Sequence, residues 1–114
     1  MAEMFRTVEA YKHYFADFLS RQTQAVKDKI YWTISLLETL PRISDTYLKK
    51  LDSTDGLYEM RIQFGGNIYR IFCFFDDGKL IILLNGFDKK TQKTPRREIE
   101  RALRLRDEYY EEKP

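Results

Sequence analysis

The chain has 114 residues, 43% apolar and 33% charged, with a net charge of +2. That composition suits one compact, soluble domain (residues 1–114), and no apolar run reaches the roughly 18 residues a membrane span needs. A single cysteine, Cys73, rules out an intramolecular disulfide and points to the cytoplasm, and one histidine beside it makes a structural zinc site implausible.

The small net charge hides an asymmetry. Residues 89–106 hold eight Lys or Arg against two Glu, a net of +6, so the rest of the chain carries −4. A basic segment of this kind fits either a polyanion partner or a solvated helix face. The opening MAEMFRTVEA contains an acid and lacks an apolar run, unlike a signal peptide.

In chain order, Met4 to Tyr11 alternates loosely and predicts a first strand. Tyr14 to Leu19 predicts a short helical turn, with the lone His13 just before it in a surface or boundary role. Gln22 to Leu40 is the clearest helix. Val26, Ile30, Ile34 and Leu37 recur at helical spacing and join Leu36, Leu40 and Trp32 in one apolar arc, until Pro41 stops the helix. Arg42 to Gly56 is a connector, with a further helical turn expected over Tyr47 to Leu51. Lys49 and Lys50 in that turn are candidate contacts to a nucleic-acid backbone, or solvated lysines.

Leu57 to Lys90 predicts three strands joined by two tight turns, at Gly65-Gly66 and Asp77-Gly78. With two-residue loops, Arg61 faces Arg70 and Arg70 faces Asn85. Those three residues then form one row on one sheet face. Opposed arginines repel, so something must offset them. Glu59 on the same face bridges them, or an anion such as phosphate is held between two guanidinium forks.

The register sorts the strands into two faces. One gathers Tyr58, Met60, Ile62, Phe64, Tyr69, Ile71, Cys73, Phe75, Leu80, Ile82 and Leu84, and should take the helices. Cys73 there is expected to be a small core residue. The other face mixes Phe72, Phe74, Ile81 and Leu83 with Glu59, Arg61, Arg70 and Asn85, which suggests a groove or a partner-covered surface.

The closing helix is expected to begin with Thr94 as N-cap and Pro95 in the first helical position. Its apolar stripe is Ile99, Ala102, Leu103 and Tyr110. Lys89, Lys90 and Lys93 lie on the loop before it. The expected fold class is therefore α+β: a small antiparallel-rich sheet, made of an N-terminal strand plus a three-strand meander, with N-terminal helices on one face and a C-terminal helix.

No Gly-rich phosphate loop, nucleophile elbow or metal-ligand cluster is visible, and no cofactor is expected. A metal-free set of Arg, Lys and Asn can still bind a phosphodiester and stabilise the charge that develops on cleavage. RNA supplies its own nucleophile, the 2′-OH. The proton acceptor is left between Glu59 and a lysine whose pKa is lowered by neighbouring cations.

The strands GLYEMRI and NIYRIFCFF, followed by LLNGFDKKTQKTP and a Glu/Arg-rich helix, resemble the HigB-like branch of the RelE/ParE toxin superfamily. The resemblance covers the whole chain and is densest from Asp55 to Glu100. It implies a RelE-like fold with the active site on the sheet face opposite the N-terminal helices. It implies a cytoplasmic type II toxin that cleaves mRNA on the ribosome without a metal. The implied partner is a helix-turn-helix antitoxin, through which the complex binds operator DNA.

Carried over by position, Arg61 and Arg70 would grip the scissile phosphate, and Asn85 would orient a backbone oxygen or hydroxyl. Lys89 or Lys90 would stabilise charge or move a proton, while Lys93, Arg96 and Arg97 would hold flanking phosphates. Asn85 departs from the family pattern, since it stands where many relatives have histidine in His-Gly-Phe. A ParE-type inhibitor of DNA gyrase is the alternative function. An inactive remnant, with an antitoxin segment covering Phe72, Phe74, Ile81 and Leu83, is another.

Overall fold

In the computed structural model, which describes residues 3–89 and 93–114, the chain runs β1 (Thr7–Ala10), α1 (Tyr14–Ser20), α2 (Gln24–Thr39), β2 (Leu48–Lys50), β3 (Leu57–Phe64), β4 (Asn67–Asp76), β5 (Leu80–Lys89) and α3 (Arg96–Glu112). The five strands form one mixed sheet in the order β1-β5-β4-β3-β2. β1 pairs in parallel with β5, and the other neighbours are antiparallel.

The first strand is shorter than its alternation suggests. Phe5 and Arg6 donate their backbone N–H groups to the Glu38 carbonyl, and the Arg6 guanidinium donates to the carbonyls of Leu37, Leu40 and Pro41. These are the orphan carbonyls at the end of α2, so residues before Thr7 cap a helix instead of extending the sheet.

The segment expected as a helical turn at Tyr47 to Leu51 is instead strand β2. Leu48 buries its side chain, and Lys49 stands directly opposite Glu59. Edge pairing and an opposite-charge cross-strand pair outweigh the local helical tendency.

The Gly65-Gly66 turn is the expected two-residue loop. Both glycines have positive φ, and Phe64 pairs with Asn67. The Asp77-Gly78 turn is longer than expected. Asp76 pairs with Leu80, so Asp77, Gly78 and Lys79 form a three-residue loop, with Asp77 and Gly78 at positive φ. The extra residue flips the first half of β5. Ile81 and Leu83 join the α1/α2 side, while Ile82 and Leu84 join Phe72 and Phe74 on the other.

A β-bulge then restores the phase. Cys73 pairs with Leu83 but Ile71 pairs with Gly86, so Leu84 and Asn85 together oppose Phe72. Beyond the bulge, Arg70 faces Phe87 and Ile68 faces Lys89. Gly86 is required on the α1 side, since a Cβ there would stand 2.8 Å from the Phe18 ring.

Two cores result. Phe15 and Phe18 of α1 and Val26, Ile30 and Leu37 of α2 pack on Met60, Ile62, Tyr69, Ile71, Cys73, Ile81 and Leu83. Burial pushes the Cys73 thiol up, which fits a core residue. Trp32 is not part of this core: it is 44% exposed.

Helix α3 covers the opposite face. Ala102 and Leu105 pack on Leu57, Phe72, Phe74, Ile82, Leu84 and Phe87, with Tyr109 beside them and Tyr110 largely exposed. The apolar part of that face, expected as a groove or partner site, is therefore closed by the chain's own helix. Pro95, not Thr94, is the N-cap of α3. The Thr94 hydroxyl donates to Glu59 instead.

Candidate functional site

Past the N-terminal start of α3, the sheet face carries charge. Alternation on β3 puts Glu59 and Arg61 on the α3 side with Leu57, and on β4 it puts Arg70 there with Phe72 and Phe74. Arg61 pairs directly with Arg70, as the turn chemistry predicts. The expected third member of that row, Asn85, is displaced. Phe87 occupies its place opposite Arg70, and the bulge holds Asn85 beside Leu84, two residues back along β5.

Asn85 nevertheless faces the same side. Its Nδ2 donates to the Glu98 carbonyl and to Glu98 Oε1, at 3.4 and 3.3 Å. The longer loop and the bulge are two one-residue shifts that cancel in the face they present but add in register, so the three residues share a face without sharing a row.

Arg70 is 6% exposed and Glu59 4% exposed. Arg70 Nε lies 3.9 Å from Glu59 Oε1, an ion pair too long for a hydrogen bond. Glu59 Oε2 accepts from Thr94 at 2.6 Å. Arg70 Nη1 donates to the Tyr69 carbonyl, and Arg61 Nη1 to the Asp45 carbonyl. Glu59 thus offsets the opposed arginines only in part, and among the described residues Arg70 Nε and Asn85 Oδ1 have no hydrogen-bond partner. Buried polar groups are rarely left this way.

The surrounding charges are cationic. Burial and then the Arg61 charge lower the Arg70 guanidinium from its ordinary value, with Glu59 opposing them. Burial and then Arg70 lower the Lys89 ammonium, with smaller effects of the same sign from Arg61 and Lys49 and the opposite sign from Glu59. Among the described residues, three cations, Arg70, Arg61 and Lys49, and one carboxylate, Glu59, thus act on Lys89.

Of the other candidates, Lys50 pairs with Tyr58 and so points to the sheet face opposite Lys49. Arg96 bonds Glu100 in the first turns of α3 at 3.0 Å. Arg97 and Lys93 are exposed. Lys90 lies outside the described residues. Sequence reasoning missed Thr94 and Glu98, which hold Glu59 and Asn85. It also missed Phe87 as the neighbour of Arg70. Among the described residues no group of three or more His, Cys, Asp or Glu is placed to hold a metal ion. No described helix is long and apolar enough to cross a membrane.

A cleft of about 410 Å³ opens beside the arginine pair, lined by Arg61, Arg70, Ile62, Gln63 and Ile68 of the sheet, Thr46 and Tyr47 before β2, and Lys29 and Thr33 of α2. Chemically, the face brings two guanidinium groups, a lysine with a lowered pKa and a carboxylate into one patch, a set able to meet an anion.

A family model described as phage-derived protein Gp49-like matches residues 17–107. Among solved structures, the chain is similar to one in the crystal structure of the archaeal RelE–RelB complex from Pyrococcus horikoshii OT3. That match has a TM-score of 0.57 and 21% identity, over 76% of this chain and 98% of the other. Comparison with proteins of curated function gives no significant match.

Proposed function

We propose, from the premise that this chain belongs to the Gp49-like family of phage-derived toxins, that it is a toxin–antitoxin endoribonuclease that cuts mRNA on the ribosome without a metal. The observation that carries this reading is the buried Nε of Arg70, without a hydrogen-bond partner among the described residues and directly opposite Arg61. A phosphate oxygen supplies the missing acceptor and neutralises the pair.

In this mechanism Arg61 and Arg70 hold the scissile phosphate. The adjacent ribose 2′-oxygen attacks phosphorus, the bond to the 5′-oxygen breaks, and a 2′,3′-cyclic phosphate forms. Glu59 takes the 2′-proton. Lys89 gives a proton to the departing 5′-oxygen. Its lowered pKa makes it a better donor than an ordinary lysine. Asn85 orients a ribose hydroxyl, which donates to its Oδ1, or a backbone oxygen, to which its amide N–H donates; Oδ1 has no partner among the described residues. Lys49 and the basic start of α3, Lys93, Arg96 and Arg97, hold flanking phosphates, and Lys90 takes the same role.

The RelE–RelB pairing in the similar structure supports an antitoxin as this toxin's partner. The compartment is the cytoplasm, where translating ribosomes are, and operator DNA is bound through the antitoxin.

The test is a pulse-labelling time course in a bacterial host, with mRNA ends mapped in the same samples, comparing wild type with Arg61→Ala and Arg70→Lys. Loss of protein synthesis with new cuts inside translated frames, absent in the variants, is the expected result. Arrest with intact mRNA and a DNA-damage response would replace this reading with ParE-type occupancy of gyrase. Harmless wild-type expression would reduce the chain to an antitoxin-binding remnant.

A further inference from the structure

The cleft beside the arginine pair has a composition the phosphate chemistry does not use. Ile62, from the α1/α2 face, and Ile68, from the Arg70 face, give it apolar lining where it opens at the sheet edge, and Tyr47 contributes an aromatic wall that is half-buried. Thr46 and Gln63 offer hydrogen-bonding groups. Lys29 stands at the α2 side, its ammonium 4.3 Å from the Trp32 ring centroid. Trp32 in turn meets Tyr47 edge-on, with centroids 5.8 Å apart. Arg61 joins the two regions. It lines the cleft, pairs with Arg70, and anchors its guanidinium on the Asp45 carbonyl next to Thr46.

A ligand that suits this shape has a planar, partly apolar body, polar edges and an attached anion. The volume falls within the range of small-molecule sites. We propose that the cleft is a nucleobase subsite, which takes one unstacked base of single-stranded RNA against Tyr47 while Arg61 and Arg70 hold its phosphate. This rests on the RNA-binding reading above and names where that reading places a base. Single-stranded RNA is commonly gripped in this way, by bases splayed out onto aromatic rings beside a basic track. Trp32 is a positioning residue here, holding the Tyr47 ring from behind the cleft. The arrangement explains why a large aromatic on α2 stays exposed instead of joining the core.

Trp32 is the chain's only tryptophan, so the protein carries its own reporter. The experiment is a fluorescence titration of the full chain with a short 2′-O-methyl oligoribonucleotide, which resists cleavage, and separately with inorganic phosphate. The expected result is a saturable change in Trp32 emission with the oligonucleotide and none with phosphate. Tyr47→Ala weakens oligonucleotide binding about 5- to 100-fold, the effect of losing one stacked base, while Tyr47→Phe retains it. Thr46→Trp changes an exposed loop residue and fills the cleft. With binding followed by anisotropy of a labelled oligonucleotide, it reduces affinity for the oligonucleotide and leaves phosphate competition intact.

Equal affinity for oligonucleotide in wild type and Thr46→Trp, or an unmoved Trp32 signal at saturation, would overturn the subsite. Because the probe is not cleaved, the two readings fail separately. Binding in the cleft without mRNA cuts in cells removes the nuclease and keeps the subsite. Cuts that persist in Thr46→Trp with unchanged positions remove the subsite and keep the nuclease.

Discussion

Arg61 and Arg70 stand directly opposite each other on β3 and β4, each donating to a backbone carbonyl and neither hydrogen-bonded to a carboxylate among the described residues. Like charges in directly opposed positions cost stability, and burial of Arg70 adds to that cost. The free protein therefore holds a repulsion that a bound anion would relieve.

Ligand-linked stability follows. Inorganic phosphate or sulfate raises the melting temperature of the wild type by mass action, by an amount equivalent to about 2.7 kcal/mol at a hundredfold excess over its Kd. Arg61→Ala abolishes most of that response and is itself no less stable than wild type in anion-free buffer. Differential scanning calorimetry across a phosphate series at constant ionic strength checks both points. An equal response in the variant would remove Arg61 from the anion site.

The lysine on β5 gives a pH signature. Burial and Arg70 lower the Lys89 pKa from its ordinary 10.5, so the ammonium is intact at neutral pH and is lost as pH rises, earlier than for an ordinary lysine. If it donates the proton to the leaving oxygen, the cleavage rate falls on an alkaline limb below pH 10.5. Lys89→Arg keeps the positive charge, moves that limb out of range, and lowers the plateau on the order of 10²-fold. The pH–rate profile on a ribosome-bound message measures both.

A second carboxylate, away from the site, controls acid stability. Asp76 at the end of β4 is buried and accepts from the Tyr109 hydroxyl at 2.5 Å and from Lys113 Nζ at 2.9 Å, which ties the end of α3 to the sheet. Tyr109 first and Lys113 second hold its carboxyl below the ordinary 3.8. A depressed folded pKa means the stabilisation is fully present above pH 3.8 and is lost as pH falls through the lower, folded value. Asp76→Asn lowers stability by roughly 2 kcal/mol at pH 7, and below pH 3.8 its unfolding free energy falls less steeply than that of the wild type. Urea titrations at several pH values read both effects.

Much of the frame was legible in the sequence because the signals are local. Gly65-Gly66 fixes a loop through positive φ, and that alone places Arg61 against Arg70. The α2 stripe of Val26, Ile30 and Leu37 is a matter of helical spacing. What was not legible depends on contacts between distant residues. Leu48 to Lys50 carries no strand pattern of its own and becomes β2 only because Glu59 and Met60 offer it an edge. Thr94 looks like a helix cap until Glu59, 35 residues away, competes for its hydroxyl. The cleft needs Lys29, Tyr47 and Arg61 from three separate segments, and nothing in their spacing announces it.

The bulge at Leu84 and Asn85 has a consequence for how the site is inherited. Deleting one residue there would leave every motif readable and keep the strand's composition nearly intact. Yet it would turn Phe87 and Lys89 to the far side of the sheet and swing Gly86, with its empty side, away from Phe18. The site is thus written partly as a count of residues between the Asp77 turn and the lysine. A frame-preserving loss of a single codon in that interval would disarm the cationic patch as surely as replacing an arginine.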